Sequence, residues 1–177
     1  MLNSLAAIYT GGVAASTTAY ESIATVTVGS GGSSTISFTS IPSGYSHLQL
    51  RGIAKGSSAL AYGAITVNSD TAGNYSTHYL IGNGSTASAD HDYSQATGPN
   101  QIVTSNGQFS AFVIDILDYG NTNKNKTFRS LNGYDANGSG YIDFLSGAWY
   151  STSAITRLDI VGTTFQQYSS FALYGVK

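Results

Sequence analysis

Apolar side chains recur at every second position through most of this chain, in short runs separated by glycine-rich gaps. A strand with one buried face has this period, because successive strand side chains point to opposite faces. Ala24, Val26 and Val28 alternate with Thr25 and Thr27. Gly29 to Gly32 turns the chain, and Ile36 and Phe38 alternate with Ser37 and Thr39. Pro42-Ser43-Gly44 supplies the next turn, since proline presets φ and glycine permits φ above zero. Leu48 and Leu50 then alternate with His47, Gln49 and Arg51. Further strands are expected at Ile65–Val67, Tyr75–Ile81, Phe128–Tyr134, Tyr141–Trp149, Ile155–Val161 and Tyr168–Val176. The more continuously apolar Phe109–Leu117 reads as a strand buried on both faces. Residues 83–100 are polar and read as a long loop.

Nine or ten short strands without a convincing helix predict an all-β chain, a two-sheet antiparallel sandwich of jelly-roll type. No fixed-period repeat appears, which argues against a solenoid or propeller. Residues 1–19 lack the alternation and read as a short N-terminal arm, with 20–177 as a single sandwich domain. The first nine residues suit a short helical turn. With neither Lys nor Arg before Gly11-Gly12, the arm does not read as a secretory signal. No apolar run reaches membrane-span length.

Composition narrows the chemistry. Only 9% of the 177 residues are charged, against about 25% in most soluble domains. Such a surface must be covered by the hydroxyls and amides of Ser, Thr, Asn and Tyr. A net charge of −2 with scattered basic residues disfavours nucleic acid as a partner. The absence of cysteine excludes disulfides, thiolate catalysis and zinc–thiolate sites.

Asp135, Asn137, Ser139, the Tyr141 carbonyl and Asp143 fall on the oxygen-donor positions of a calcium loop, with Gly140 at its glycine position. Ser146 stands where the bidentate glutamate belongs, and the flanks read as strands. A hairpin turn is therefore the first reading, and a weak calcium site at Asp135, Asn137, Ser139 and Asp143 the second; no other cofactor is expected. Asp90-His91-Asp92 could converge on an ion only if it lay in a loop. His47 and His78 read as surface or interface residues. Asp115, Asp118 and Asp143 are the acids a catalytic cleft would use, but no nucleophile elbow, zinc-protease motif or phosphate loop accompanies them, so no enzyme is expected. Among the thirteen tyrosines, those at sheet ends, with Trp149-Tyr150, are candidates for subunit or glycan contact.

Three segments near the front, Tyr20–Val28, Ile36–Pro42 and Tyr45–Arg51, together with the closing Phe171-Ala172-Leu173-Tyr174-Gly175-Val176-Lys177, resemble small virion proteins of tailed bacteriophages. The resemblance carries no functional residue across. It implies a β-sandwich displayed in trimers on the outer surface of the particle after synthesis in the host cytoplasm. Capsid decoration on the major capsid protein is the leading expectation. Leu2, Leu5, Ile8, Tyr9 and Val13 of the arm would supply the partner contact. A tail-fibre module touching host glycan through loop 83–100 and Trp149-Tyr150 is the alternative. Neither reading involves a membrane.

Overall fold

The computed structural model describes residues 19–98 and 100–177, with the side chains of residues 100 and 101 left out. The arm residues Leu2, Leu5, Ile8, Tyr9 and Val13 and the suggested helical turn lie outside the described residues.

Among the described residues twelve strands follow one another: β1 (Tyr20–Thr27), β2 (Ile36–Phe38), β3 (His47–Ala54), β4 (Ala61–Val67), β5 (Tyr75–Gly82), β6 (Ala87–Gln95), β7 (Asn100–Thr104), β8 (Ser110–Leu117), β9 (Lys126–Asp135), β10 (Gly140–Trp149), β11 (Leu158–Val161) and β12 (Ser170–Val176). They form two antiparallel sheets, ordered β1-β12-β3-β8-β9-β10-β5-β6 and β2-β11-β4-β7. With the pairs β5–β6 and β9–β10 set aside, the remaining eight strands switch sheets at every step except β4 to β7, which pair as neighbours in the smaller sheet. Their orders, β1-β12-β3-β8 over β2-β11-β4-β7, are those of a jelly roll. The two set-aside pairs sit side by side and extend one sheet beyond the sandwich.

The core fills the space between the two four-stranded layers. Leu48 and Leu50 from β3, Ile114 and Ile116 from β8, and Phe171 and Leu173 from β12 meet Ile65 of β4 and Leu158 and Ile160 of β11, all fully buried. Burying each such side chain contributes about 1.5–3 kcal/mol. Phe165 stands edge-on to Phe171 at 4.9 Å between ring centres and closes one end.

The sequence reading departs from the structure in three places. Residues 83–100 are largely strand: β6 pairs with β5 in register His78↔His91 and Leu80↔Ala89. β6 is an edge strand exposed on nearly every residue, so no core imprints an alternation on it. Asp90-His91-Asp92 therefore alternates across a strand, with His91 on the face opposite its two neighbours. Second, β8 is buried on one face only; Ala111, Val113, Asp115 and Leu117 are exposed or half-buried on the other. Its apolar run reflects an uncovered apolar face. Third, Trp149 is 2% exposed and its indole N–H donates to Asp70 Oδ2 at 2.6 Å, which removes it from any glycan surface.

Candidate functional site

The extension β9-β10-β5-β6 carries the features the sandwich core does not explain. Its strands alternate between two faces, and each face holds a distinct site.

On the inner face, the register places Asn132, Asp143 and Ile81 in one row, Ser130, Leu145 and Tyr79 in the next, and Phe128, Gly147, Thr77 and Asp92 in the third. The register that runs unbroken from Gly82↔Ala87 brings Asp92 opposite Thr77, and a bulge follows before Tyr75↔Gln95. Tyr62 of β4 approaches from the smaller sheet. Together Tyr62, Thr77, Tyr79, Ile81, Asp92, Asp143 and Leu145 enclose a half-open cavity of about 140 Å³. Asp143 is 2% exposed, and its Oδ1 has no hydrogen-bond partner among the described residues. Burial pushes its carboxyl up to about 6, and no cationic side chain lines the cavity to oppose that. Burial, with Asp143 next, also raises Tyr62; Tyr79 is raised by burial and then by Asp92 and Asp90. Ser110, Ser130 and the Asn132 amide nitrogen are further buried polar groups without partners on β8 and β9. The Asn132 carbonyl oxygen is satisfied by the Val103 N–H at 2.8 Å.

The opposite end of the same hairpin shows how this protein treats a buried charge when it satisfies one. Lys126 is fully buried, yet its ammonium donates to the carbonyls of Asn121, Lys124 and Thr152 at 2.5, 3.0 and 3.1 Å. All three N–H bonds are used, although burial lowers its pKa. Near it, Asp70 accepts from Trp149, Asn74 and the Ala72 N–H, and these hydrogen bonds, Asn74 foremost, then Trp149, then Ala72, hold its carboxyl below the usual range.

On the outer face the cross-strand row Ala89, Leu80, Phe144, Leu131 and Val113 is apolar, and Ile142 follows two residues along β10. Leu80, Leu131, Phe144 and Ile142 are 47–59% exposed. Beside them a broad groove of about 910 Å³ runs over Gly133 between Ala111 and Ile142, bounded by the turns at Gly82–Ser85 and Gly138–Tyr141. The neighbouring row is polar: Gln49, Asp115, Arg129, Ser146, His78 and His91. His78, His91 and Tyr93 stack in succession at 5.3 Å spacings toward the free edge.

The calcium-loop residues do not share a site. Residues 135–140 form the tight hairpin between β9 and β10, closed by Ala136 N–H to Ser139 O at 2.7 Å and Asn137 N–H to Asp135 Oδ1 at 2.7 Å. Asp135 and Ser139 border the outer groove, whereas Asp143 lines the inner cavity. The acids considered for catalysis are also apart. Asp115 lies on the outer face, bound by Gln49 and Arg129 at 2.6 and 3.1 Å. Asp118 sits in the turn after β8 with Lys124 at 2.5 Å and His47 at 3.7 Å. A further buried acid, Asp159 of β11, is held by Arg157 and by Ser37 of β2. Among the described residues no three His, Cys, Asp or Glu side chains converge on one point, and no helix is long and apolar enough to cross a membrane.

Sequence reasoning missed Asp92 and Tyr62 as neighbours of Asp143. Asp92 lies in a segment whose sequence reads as a loop, and Tyr62 comes from the other sheet; the β5–β6 register and the packing of the two sheets bring them to one cavity. The structure thus defines an all-β jelly-roll sandwich with a two-faced extension. Compared with family models, curated proteins and solved structures, the chain matches none.

Proposed function

We propose that this chain is a structural protein of a virion, a decoration protein that attaches to the major capsid protein and bridges its subunits. The outer face of the long sheet carries this reading. Leu80, Leu131, Ile142 and Phe144 form a half-exposed apolar stripe on a chain with only 9% charge. Contiguous exposed apolar surface on a folded domain marks a place where another protein sits. The stripe lies on regular strands with paired backbone, so a partner meets a preformed surface. The jelly-roll topology supports the reading, since capsid and lectin domains use it. In this reading three copies gather at a symmetry point of the particle.

Recognition of a host glycan is the second reading. One observation favours it: the stacked His78, His91 and exposed Tyr93 at the free edge present ring faces to solvent. Binding of the purified chain to undecorated capsids and to host cells separates the two. The decoration reading expects saturable capsid binding that Phe144→Asp abolishes and Tyr93→Ala leaves intact. Binding to cells alone, lost in Tyr93→Ala, would overturn it in favour of the glycan.

A further inference from the structure

We propose that the Asp143 cavity is a low-affinity site for a hard divalent cation of the calcium class. Asp143 and Asp92 would supply the charge, the hydroxyls of Thr77, Tyr62 and Tyr79 further oxygens, and water the rest of the shell. The inference is independent of what the outer face binds.

Four observations lead here. The first is the unpartnered Asp143 Oδ1 at 2% exposure on a cavity with no Lys, Arg or His in its lining. A buried carboxylate without a counter-charge costs several kcal/mol. Elsewhere this fold spends three carbonyls on Lys126 and two side chains on Asp159, so an unanswered charge is out of keeping with its construction. The second is the donor set, which is oxygen throughout with two carboxylates. Carboxylate and hydroxyl oxygens select calcium-like ions over transition metals, which favour imidazole and thiolate. The nearby imidazoles of His78 and His91 lie on the opposite face of the sheet. The third is size. A volume of about 140 Å³ holds four or five waters at roughly 30 Å³ each, enough for one partly hydrated ion. The fourth is the unbroken β5–β6 register, which sets Asp92 opposite Thr77 at the cavity mouth, immediately before a bulge between Thr77 and Tyr75. Bulges are over-represented next to functional sites. Asp92 is only partly buried on the free edge strand, so the cavity has an entrance. A bound ion would link β10, β5, β6 and β4 and fasten the extension to the smaller sheet.

The competing explanation is local. Asn132 is the cross-strand neighbour of Asp143, and its amide nitrogen also lacks a partner. An Asn132–Asp143 hydrogen bond would use up the free oxygen and leave no site.

The test uses the full chain, stripped with a chelator, at pH 7.5. Terbium is added and excited through tyrosine, since Tyr62 and Tyr79 border the cavity. The expected result is saturable sensitised emission, displaced by calcium with a midpoint on the order of 10⁻⁴–10⁻³ M, the range of weak extracellular sites. Asp143→Asn and, separately, Asp92→Asn should each weaken terbium binding tenfold or more, while Asp135→Asn in the hairpin leaves it unchanged. Circular dichroism confirms that each variant is folded, and Asp92→Asn on the exposed edge keeps the test open if Asp143→Asn is not. Absence of emission in the parent chain, its survival in both cavity variants, or its loss in Asp135→Asn overturns the proposal.

Discussion

The two halves of the long sheet are built from the same strand geometry and put to different uses. Under β2-β11-β4-β7, the strands β1, β12, β3 and β8 bury aliphatic and aromatic side chains, and the buried acid there, Asp159, is fully answered. Past β8, the inner face keeps Phe128, Tyr75 and Trp149 in the core but also holds unpartnered polar groups, while the outer face carries a half-exposed apolar stripe. A sheet that only needed stability would do neither. The sandwich therefore holds most of the buried aliphatic core, and the extension is where unpartnered polar groups and exposed apolar side chains gather.

The sharpest way to break that contrast is to cut the core. Phe171→Ala removes a fully buried ring that touches both Phe165 and Phe112. It should cost about 3–5 kcal/mol, as large-to-small aromatic changes in packed cores do. Urea denaturation followed by tyrosine fluorescence measures it. A loss below about 1 kcal/mol would mean the sandwich is not the stabilising half.

Lys126 tests the border between the halves. Lys126→Met keeps the length of the stem but removes the ammonium, leaving the carbonyls of Asn121, Lys124 and Thr152 without their donor. Stranding buried acceptors costs about 1–3 kcal/mol. The same denaturation experiment should show a loss in that range, with protease nicking between 120 and 125 appearing first. An unchanged midpoint would show that the three contacts do not hold the turn.

Asp143 predicts a gain. Its folded carboxyl titrates at about 6 against 3.8 when unfolded, so the folded state prefers the protonated form. Stability is undiminished below pH 3.8, falls as pH rises through the window to 6, and stays reduced above it. The facing groups are Tyr62 on β4, Tyr79 on β5 and Asp92 on β6, none of them cationic. With a chelator present, Asp143→Asn should be more stable than the parent by as much as about 3 kcal/mol above pH 6. The difference should vanish near pH 4. Reading the difference between variant and parent cancels Glu21, Asp70 and Asp118, whose carboxyls shift the other way. A difference that does not change with pH would mean the cavity imposes no charge penalty.

Much of the sandwich was legible because its residues obey one local rule. Leu48 and Leu50, or Ile36 and Phe38, declare a strand and its buried face within a few positions. The extension obeys no such rule. β6 presents Ala-Ser-Ala-Asp-His-Asp-Tyr-Ser-Gln with both faces wet, so its strand character comes wholly from pairing with β5. The cavity is harder still. Asp143 looked like the tail of a calcium loop because Asp135 and Asn137 precede it at the right spacing. A hairpin with strand flanks sends Asp135 and Asp143 to opposite faces, and the partners Asp143 acquires are distant in sequence. Trp149 was read as a surface ring since nothing local reveals that Asp70 waits to accept its N–H.

The outer stripe yields the smallest stability effect and the clearest separation of roles. Leu131→Thr and Phe144→Thr keep residues that favour strands and remove apolar area that is already about half in water. Each should change the unfolding free energy by no more than about 1 kcal/mol, since surface positions rarely matter more. Partner binding should respond far more strongly, because truncating a central aromatic anchor of an interface costs about 2 kcal/mol or more, some thirtyfold in affinity. Parallel measurement of denaturation midpoints and capsid binding on the same two variants decides it. If stability and binding fall together, the stripe is ordinary packing and the division between a stabilising half and a binding half fails. If binding falls alone, the apolar residues on this face are kept there for a partner.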